Sequence, residues 1–248
     1  MALTAEWAQA QLWDVETGEE VQAFPGHTMQ VNSVAFSPDG TKILTNADLR
    51  DIETGRVIRV FSTRVQSFNT SITSAAFSPD GTKLLTGSMN GEVSLWDVET
   101  GELIQPLPGH PTGGVYNTIG SVEFSSDGTR ILTASHAATA ILWDVETGQA
   151  IQTFSGPMSP VTTASLSPDE TRVLTTYGYG SMPILWDVET GEQIHTFTEP
   201  FVKFWPDGNE TEVLNWDRDG TMTLCDAETG EEIRTWTAAF LLEGSTTG

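Results

Sequence analysis

Basic side chains are scarce in this sequence: 11 lysines and arginines stand against 34 aspartates and glutamates, a formal net charge of −23 over 248 residues. A surface that tracks phosphates needs clustered Lys and Arg. Here they are scattered, with Lys42, Lys83, Arg130 and Arg172 at equivalent places beside turns. Direct contact with nucleic acid or an anionic membrane is therefore not expected, and self-repulsion predicts stability that rises with salt. Cysteine is nearly absent. Cys225 alone can form no internal disulfide and no cysteine zinc site, and a buried thiol is expected. The four histidines, His27, His110, His136 and His195, are far apart in the sequence, with no two at ligand spacing. The chain also lacks a Gly-x-Ser-x-Gly elbow and a Gly-x4-Gly-Lys phosphate loop. No catalytic residue, metal site or cofactor is expected. No apolar run approaches the roughly 20 residues that cross a bilayer, and Met1 to Glu6 has neither a basic nor an apolar signal region, so the expectation is a soluble, cytoplasmic chain.

What the sequence does have is repetition. Leu12-Trp13-Asp14-Val15-Glu16-Thr17-Gly18-Glu19 returns almost unchanged at Leu95 to Glu102, Leu142 to Gln149 and Leu185 to Glu192, and in degraded form at Asp51 and Asp226. Each copy reads as two strands joined by a tight Glu-Thr-Gly turn. A second word runs out of phase: Phe36-Ser37-Pro38-Asp39-Gly40, Phe77 to Gly81, Phe124 to Gly128, Leu166 to Glu170 and Phe204 to Gly208. It marks a second hairpin with an Asp-Gly turn. A period near 40 residues that holds four short strands is the length of a propeller blade.

These residues carry a family resemblance. Trp-Asp closing the third strand, Ser-Pro-Asp-Gly after the first, and Gly26-His27 and Gly109-His110 before two repeats resemble the Trp-Asp (WD) repeat propellers, in the style of bacterial members whose propellers often form the sensor half of a longer chain. The resemblance implies an all-β, six-bladed propeller of four-stranded antiparallel blades. It also implies a non-catalytic scaffold that holds proteins or peptides. The near-identity of the copies suggests recent amplification or a designed sequence, and a piece of a longer array is the alternative to a closed ring.

The expected blades follow in order. Blade 1 is residues 1–24 plus 237–248, blade 2 is 31–61, blade 3 is 72–107, blade 4 is 121–154, blade 5 is 161–197 and blade 6 is 201–236. Met1 to Ala5 aligns with second strands, while Thr237 to Gly244 resembles a first strand, so the C-terminal strand is expected to pair with the N-terminal three and leave no open edge. Blade 2 has lost most of its third strand, and Arg50 stands in place of Trp. In the family, a Gly-His histidine, a second-strand Ser or Thr, the Trp and a loop Asp form a buried tetrad. With His110, Ser135 and Trp143 in place but Ala137-Ala138-Thr139 where the Asp belongs, and with Trp missing after His27, neither tetrad is expected to be complete. Structural weight falls on Trp13, Trp96, Trp143 and Trp186 and on Asp14, Asp97, Asp144 and Asp187.

In a four-stranded blade both hairpin turns emerge on one face. That face carries Glu16, Glu53, Glu99, Glu146, Glu189, Glu228, Asp39, Asp80, Asp127 and Asp207, a negative field suited to steering a basic partner. The opposite face is variable, and its loops hold Met29, Phe68, Met89, Tyr116, His136, Met158, Tyr177, Tyr179, Met182 and Trp216. Aromatics and Met on one rim are the composition of an interface core. The leading expectation is a monomer that binds a protein or peptide there. The alternative is a small-ligand-binding or catalytic propeller that uses its central channel, with a cation at the acidic face.

Overall fold

The computed structural model describes residues 1–6, 9–27, 30–61, 71–110, 117–178, 180–205, 212–217 and 220–237. Among them every regular element is a β-strand, arranged as six antiparallel sheets in chain order. The first sheet has three strands, β1 (Ala2–Glu6), β2 (Gln9–Trp13) and β3 (Glu20–Phe24). The second has β4 (Val34–Phe36), β5 (Lys42–Thr45), β6 (Asp48–Asp51) and β7 (Val57–Val60). The third has β8 (Ile72–Phe77), β9 (Lys83–Ser88), β10 (Val93–Asp97) and β11 (Leu103–Leu107). The fourth has β12 (Ile119–Phe124), β13 (Arg130–Ser135), β14 (Thr139–Asp144) and β15 (Ala150–Ser155). The fifth has β16 (Val161–Leu166), β17 (Arg172–Tyr177), β18 (Ile184–Asp187) and β19 (Gln193–Thr196). The sixth has β20 (Phe201–Phe204), β21 (Glu212–Trp216), β22 (Met222–Asp226) and β23 (Glu232–Trp236). Of the strand expected over 237–244, residues 238–244 lie outside the described residues.

The Asp-x-Glu-Thr-Gly word closes each third-to-fourth hairpin with a bulge rather than a plain two-residue turn. Register slips by one residue at Leu12/Trp13, Leu49/Arg50, Leu95/Trp96, Leu142/Trp143, Leu185/Trp186 and Leu224/Cys225, the same place in all six sheets. The physical reason lies in the word itself. Its glycine sits at a positive φ between 66° and 74° in every copy, a conformation that costs an L side chain free energy. From there its N–H reaches back to the Asp carbonyl, as Gly18 does to Asp14 at 2.9 Å.

Five core clusters hold the sheets together, each shared by two consecutive sheets. Leu12 and Phe24 meet Ile43, Leu49 and Phe61 meet Trp96, and Leu85 and Leu107 meet Trp143. Leu142 and Phe154 then meet Trp186, and Leu185 and Phe197 meet Val213 and Cys225. First strands lie against first strands, β8 on β12 and β12 on β16, so the sheets stand radially with their fourth strands outermost. Val21, Ile58, Ile104, Ile151 and Ile233 on those outer strands are exposed. In the second sheet Thr45 and Asp48 are joined through Asn46 and Ala47 alone, with Asn46 at φ 54°, so the missing residues come from this connection; contrary to expectation the third strand is kept, β6 having four residues as β18 does.

Candidate protein-interaction surface

The two turn words of a blade lie side by side. Ile52 N donates to Thr41 O, Val98 N to Thr82 O, Val145 N to Thr129 O and Val188 N to Thr171 O, all at 2.9 to 3.0 Å. One face therefore carries both turns of a blade. Its aspartates are occupied by their own loops. Asp14 Oδ1 accepts from Thr17 N at 2.8 Å, and Asp97, Asp144 and Asp187 repeat the contact with Thr100, Thr147 and Thr190. In the other word Asp80 accepts from Ser78 Oγ at 2.6 Å and from Thr82 N at 2.9 Å. These bonds hold the carboxyl groups of Asp80 and Asp127 down at about 2, the serine hydroxyl contributing most. The glutamates Glu16, Glu53, Glu99, Glu146, Glu189 and Glu228 are exposed. Among the described residues Glu228 alone of these six pairs with a cation, Arg172 at 2.7 Å, and Arg172 also holds Asp187 at 3.0 Å. Among the described residues no group of three or more His, Cys, Asp or Glu converges for a metal ion.

One acid departs from this pattern. Glu123 is half-buried between β12 and β16, where its Oε1 accepts from Leu166 N at 3.3 Å. Burial pushes its pKa up to about 7, the Glu170 carboxylate adds to the rise, and the Leu166 N–H opposes it. Glu170 occupies the glycine place of its turn at φ 60° and reaches back to Arg130 and the Ser126 N–H of the preceding sheet. A carboxyl whose folded pKa is raised stabilises the fold fully below its unfolded value near 4.5, and that contribution is lost as pH rises through about 7. Glu123→Gln should therefore raise stability relative to the parent by about 1 to 2 kcal/mol at pH 8, allowing for solvent screening. The gain should vanish at pH 4.5; denaturant titrations at the two pH values check both signs.

The tryptophans anchor a second set of polar contacts. Four third-strand indoles each donate to a second-strand threonine: Trp13 to Thr4 at 2.7 Å, and Trp96 to Thr86, Trp143 to Thr133 and Trp186 to Thr175 at 2.8 Å. In the fourth sheet this grows into a complete network, contrary to the sequence expectation. His110 Nε2 meets Thr133 Oγ1 at 2.8 Å, and its Nδ1 meets Thr139 Oγ1 at 2.7 Å. Thr139 stands in for the missing Asp, and Thr133 rather than Ser135 is the second-strand partner. The reason is register: Ile131 pairs with Trp143, so the diagonal neighbour on the same face is Thr133. Burial lowers the His110 pKa to about 4, so the imidazole is neutral at pH 7. The recurring Leu-Thr pair at Thr4, Thr45, Thr86, Thr133 and Thr175 was the sequence signal for these partners.

The other sheets show what replaces the network. In the second, Asp48 takes Arg50 Nη2 at 3.0 Å and lies 3.9 Å from His27 Nδ1, while the Thr45 hydroxyl has no partner among the described residues. In the fifth, the Tyr177 hydroxyl accepts from Thr175 at 3.0 Å and fills the histidine's place. In the sixth, Asn215 Nδ2 donates to Cys225 Sγ at 3.4 Å.

The variable-face candidates separate accordingly. Met89, Met158 and Met182 are exposed, and Met158 and Met182 sit in the two loops at one end of the fifth sheet. His136 is half-buried, with its N–H bonded to Thr118 O at 2.9 Å. Trp216 stacks on Phe201 at 5.7 Å and 8°, and Phe201, which sequence reasoning missed, is exposed. Tyr177 corrects the expectation: it is 8% exposed and turned inward. Gly156 makes room for its hydroxyl, which lies 2.1 Å from where a Cβ would stand. Met29, Phe68, Tyr116 and Tyr179 lie outside the described residues.

The family described as "WD domain, G-beta repeat" matches residues 18–50, 57–97 and 101–144. The chain is a WD-repeat protein. Its WD repeats are similar to a guanine nucleotide-binding protein subunit beta of Arabidopsis thaliana, 33% identical over 105 residues that make up 40% of this chain and 28% of the relative. The subunit of the same description from Oryza sativa subsp. indica is 32% identical over 109 residues, 40% and 29% of the two chains. Autophagy-related protein 16 of Arabidopsis thaliana is 26% identical over 100 residues, 40% and 20%. The chain thus spans less than a third of the length of the curated relatives it matches. No helix among the described residues is long and apolar enough to cross a membrane.

Proposed function

We propose that this WD-repeat propeller is a non-catalytic, cytoplasmic scaffold that binds a protein or peptide on its variable face, working as a monomer of six blades. The observation that carries the reading is the contrast between the faces. On the turn face the aspartates spend their acceptors inside their own loops, whereas the variable face leaves Met89, Met158 and Met182 uncovered. Exposed thioethers adapt to an apolar partner surface. A relative named as a subunit of a guanine nucleotide-binding protein supports work inside an assembly.

Replacing Met89, Met158 and Met182 together with Ser should cut recovery of the bound partner about tenfold or more, as removal of interface anchors does. The melting transition should stay in place, since none of the three is in a core cluster. Unchanged recovery from the triple variant would sink the reading. The exposed glutamates act differently: they steer a basic partner, so reversing Glu16, Glu53 and Glu146 to Lys should slow association and flatten its salt dependence.

A further inference from the structure

The turn between β9 and β10, Ser88-Met89-Asn90-Gly91-Glu92, copies the Ser-Pro-Asp-Gly turn at the other end of β9. In the Ser-Pro-Asp-Gly turn, Ser78 Oγ donates to Asp80 Oδ1 at 2.6 Å and accepts from Lys83 N at 2.9 Å. Thr82 N donates to the same Asp80 oxygen at 2.9 Å, and Gly81 N donates to Ser78 O at 2.8 Å, with Gly81 at φ 71°. The copy repeats each contact. Ser88 Oγ donates to Asn90 Oδ1 and accepts from Glu92 N at 3.1 Å. Glu92 N also reaches Asn90 Oδ1 at 3.4 Å, and Gly91 N donates to Ser88 O at 3.2 Å, with Gly91 at φ 86°. An amide stands where the word has a carboxylate, and its two donors identify the oxygen that faces them.

The backbone of this turn does not need the amide. In the fourth sheet Ser135-His136-Ala137-Ala138 closes in the same way, Ala138 N donating to Ser135 O at 3.2 Å with Ala138 at φ 66°, and Ala137 stands at the place of Asn90. Glycine, by contrast, is required at 91. A Cβ there would stand 2.2 Å from Asn117 Nδ2 and 2.7 Å from Asn117 O. Packing thus fixes a glycine after Asn90, and of the seven asparagines in the sequence Asn90 alone is followed by glycine.

We infer that Asn90 is a site of spontaneous deamidation and that the aspartate it yields fits the turn as well as the amide does. Gly91 N, with no side chain to hinder it, attacks Asn90 Cγ and closes a five-membered imide, while its proton goes to solvent base and ammonia leaves. Water then opens the ring: cleavage of the new bond to Cγ gives aspartate, and cleavage of the original peptide bond gives isoaspartate. Two features of the turn favour the first step. Both donors on Oδ1 stabilise the oxyanion that forms at Cγ. The bond that must open to free Gly91 N is also the long one of its series, 3.2 Å against 2.9 Å at Gly40, 2.8 Å at Gly81 and 2.9 Å at Gly128. The product places a carboxylate beside exposed Met89 on the variable face.

The test holds the folded full-length chain at 37 °C at pH 6 and pH 8.5, quenches it in acid and maps its peptides with aspartate and isoaspartate separated. Acidic products should accumulate at Asn90 about tenfold faster than at any other asparagine, since glycine alone leaves the attacking nitrogen unhindered. They should form faster at pH 8.5, because the attacking nitrogen must lose its proton. Conversion at another asparagine first would overturn the inference, as would an intact Asn90 in the folded chain while the same chain in denaturant converts it. Asn90→Gln, which would need a six-membered ring, should abolish the signal, and a product at that position in the variant would count against the mechanism. Asn90→Asp should melt within about 2 °C of the parent, because the carboxylate inherits both donors; a fall on the order of 10 °C would refute the fit. On the variable-face reading, on which this last consequence rests, Asn90→Asp should also cut recovery of the partner about threefold, since a carboxylate beside an apolar contact has to be desolvated. Unaltered recovery would overturn that consequence, whereas the reaction at Asn90 stands or falls on the peptide map.

Discussion

Replacing Trp143 with Ala should lower stability by about 3 to 5 kcal/mol and the melting temperature by on the order of 10 °C. The side chain is 2% exposed and shared between two sheets, with Leu85, Leu107, Ile131 and Ile141 in its cluster. His110 stands edge-on to it at 6.3 Å and 74°. Its removal opens a cavity that the strand ladders on both sides prevent from collapsing. The polar part is separable. Trp143→Phe keeps most of the packing and loses only the N–H to Thr133, which should cost about 1 kcal/mol. Thr133→Val strands the indole and imidazole nitrogens together and should cost about 1 to 3 kcal/mol. Denaturant titrations of the three variants order the contributions. If Trp143→Phe proved as damaging as Trp143→Ala, the hydrogen-bonded hub and not packing would hold this join.

Gly120→Ala should be comparably damaging for a different reason. A Cβ there would stand 2.4 Å from the Thr162 carbonyl oxygen and 3.0 Å from that of Val161. Both obstacles are backbone, so no rotamer change relieves them. The strand cannot retreat freely either, because Thr73 Oγ1 donates to Ile119 O at 2.6 Å and Val122 N donates to Ser74 Oγ at 3.1 Å from the other side. The expected cost is about 3 kcal/mol, the upper end for overpacking. Gly178→Ala is the control. Its Cβ would meet only Thr162 Cγ2 at 3.7 Å, an ordinary contact, and thermal melts should leave it within about 0.5 kcal/mol of the parent.

The repeat words made the architecture legible because each specifies a local geometry that needs no distant partner. Asp-x-Glu-Thr-Gly closes a bulged hairpin through its own Asp carboxylate, threonine N–H and left-handed glycine. Ser-Pro-Asp-Gly does the same with its serine hydroxyl and Asp. Their alternation along the chain places four strands in each period. The loss of loop residues before Arg50 likewise announced the tight β5–β6 connection, though not a lost strand, since β6 is as long as β18.

The choice of polar partners was not local. Thr133 displaced Ser135 because the diagonal register sets which hydroxyl the indole of Trp143 can reach. Thr139 could replace an Asp because His110 needs only one oxygen at 2.7 Å. Tyr177 looked like an exposed loop aromatic, and its direction was decided by space above Gly156 and a hydroxyl on Thr175. Glu123 read as one more surface acid until β16 covered it.

By itself, then, the sequence determined the blade period, the two turn words and the opposition of a repetitive acidic face to a variable one, since these follow from contacts within about five residues. Tertiary structure alone decided which side chains are buried between sheets and which remain on the rim. That outcome depends on what the neighbouring sheet presents across the join, and adjacent repeats, alike in their turns, differ at those facing positions.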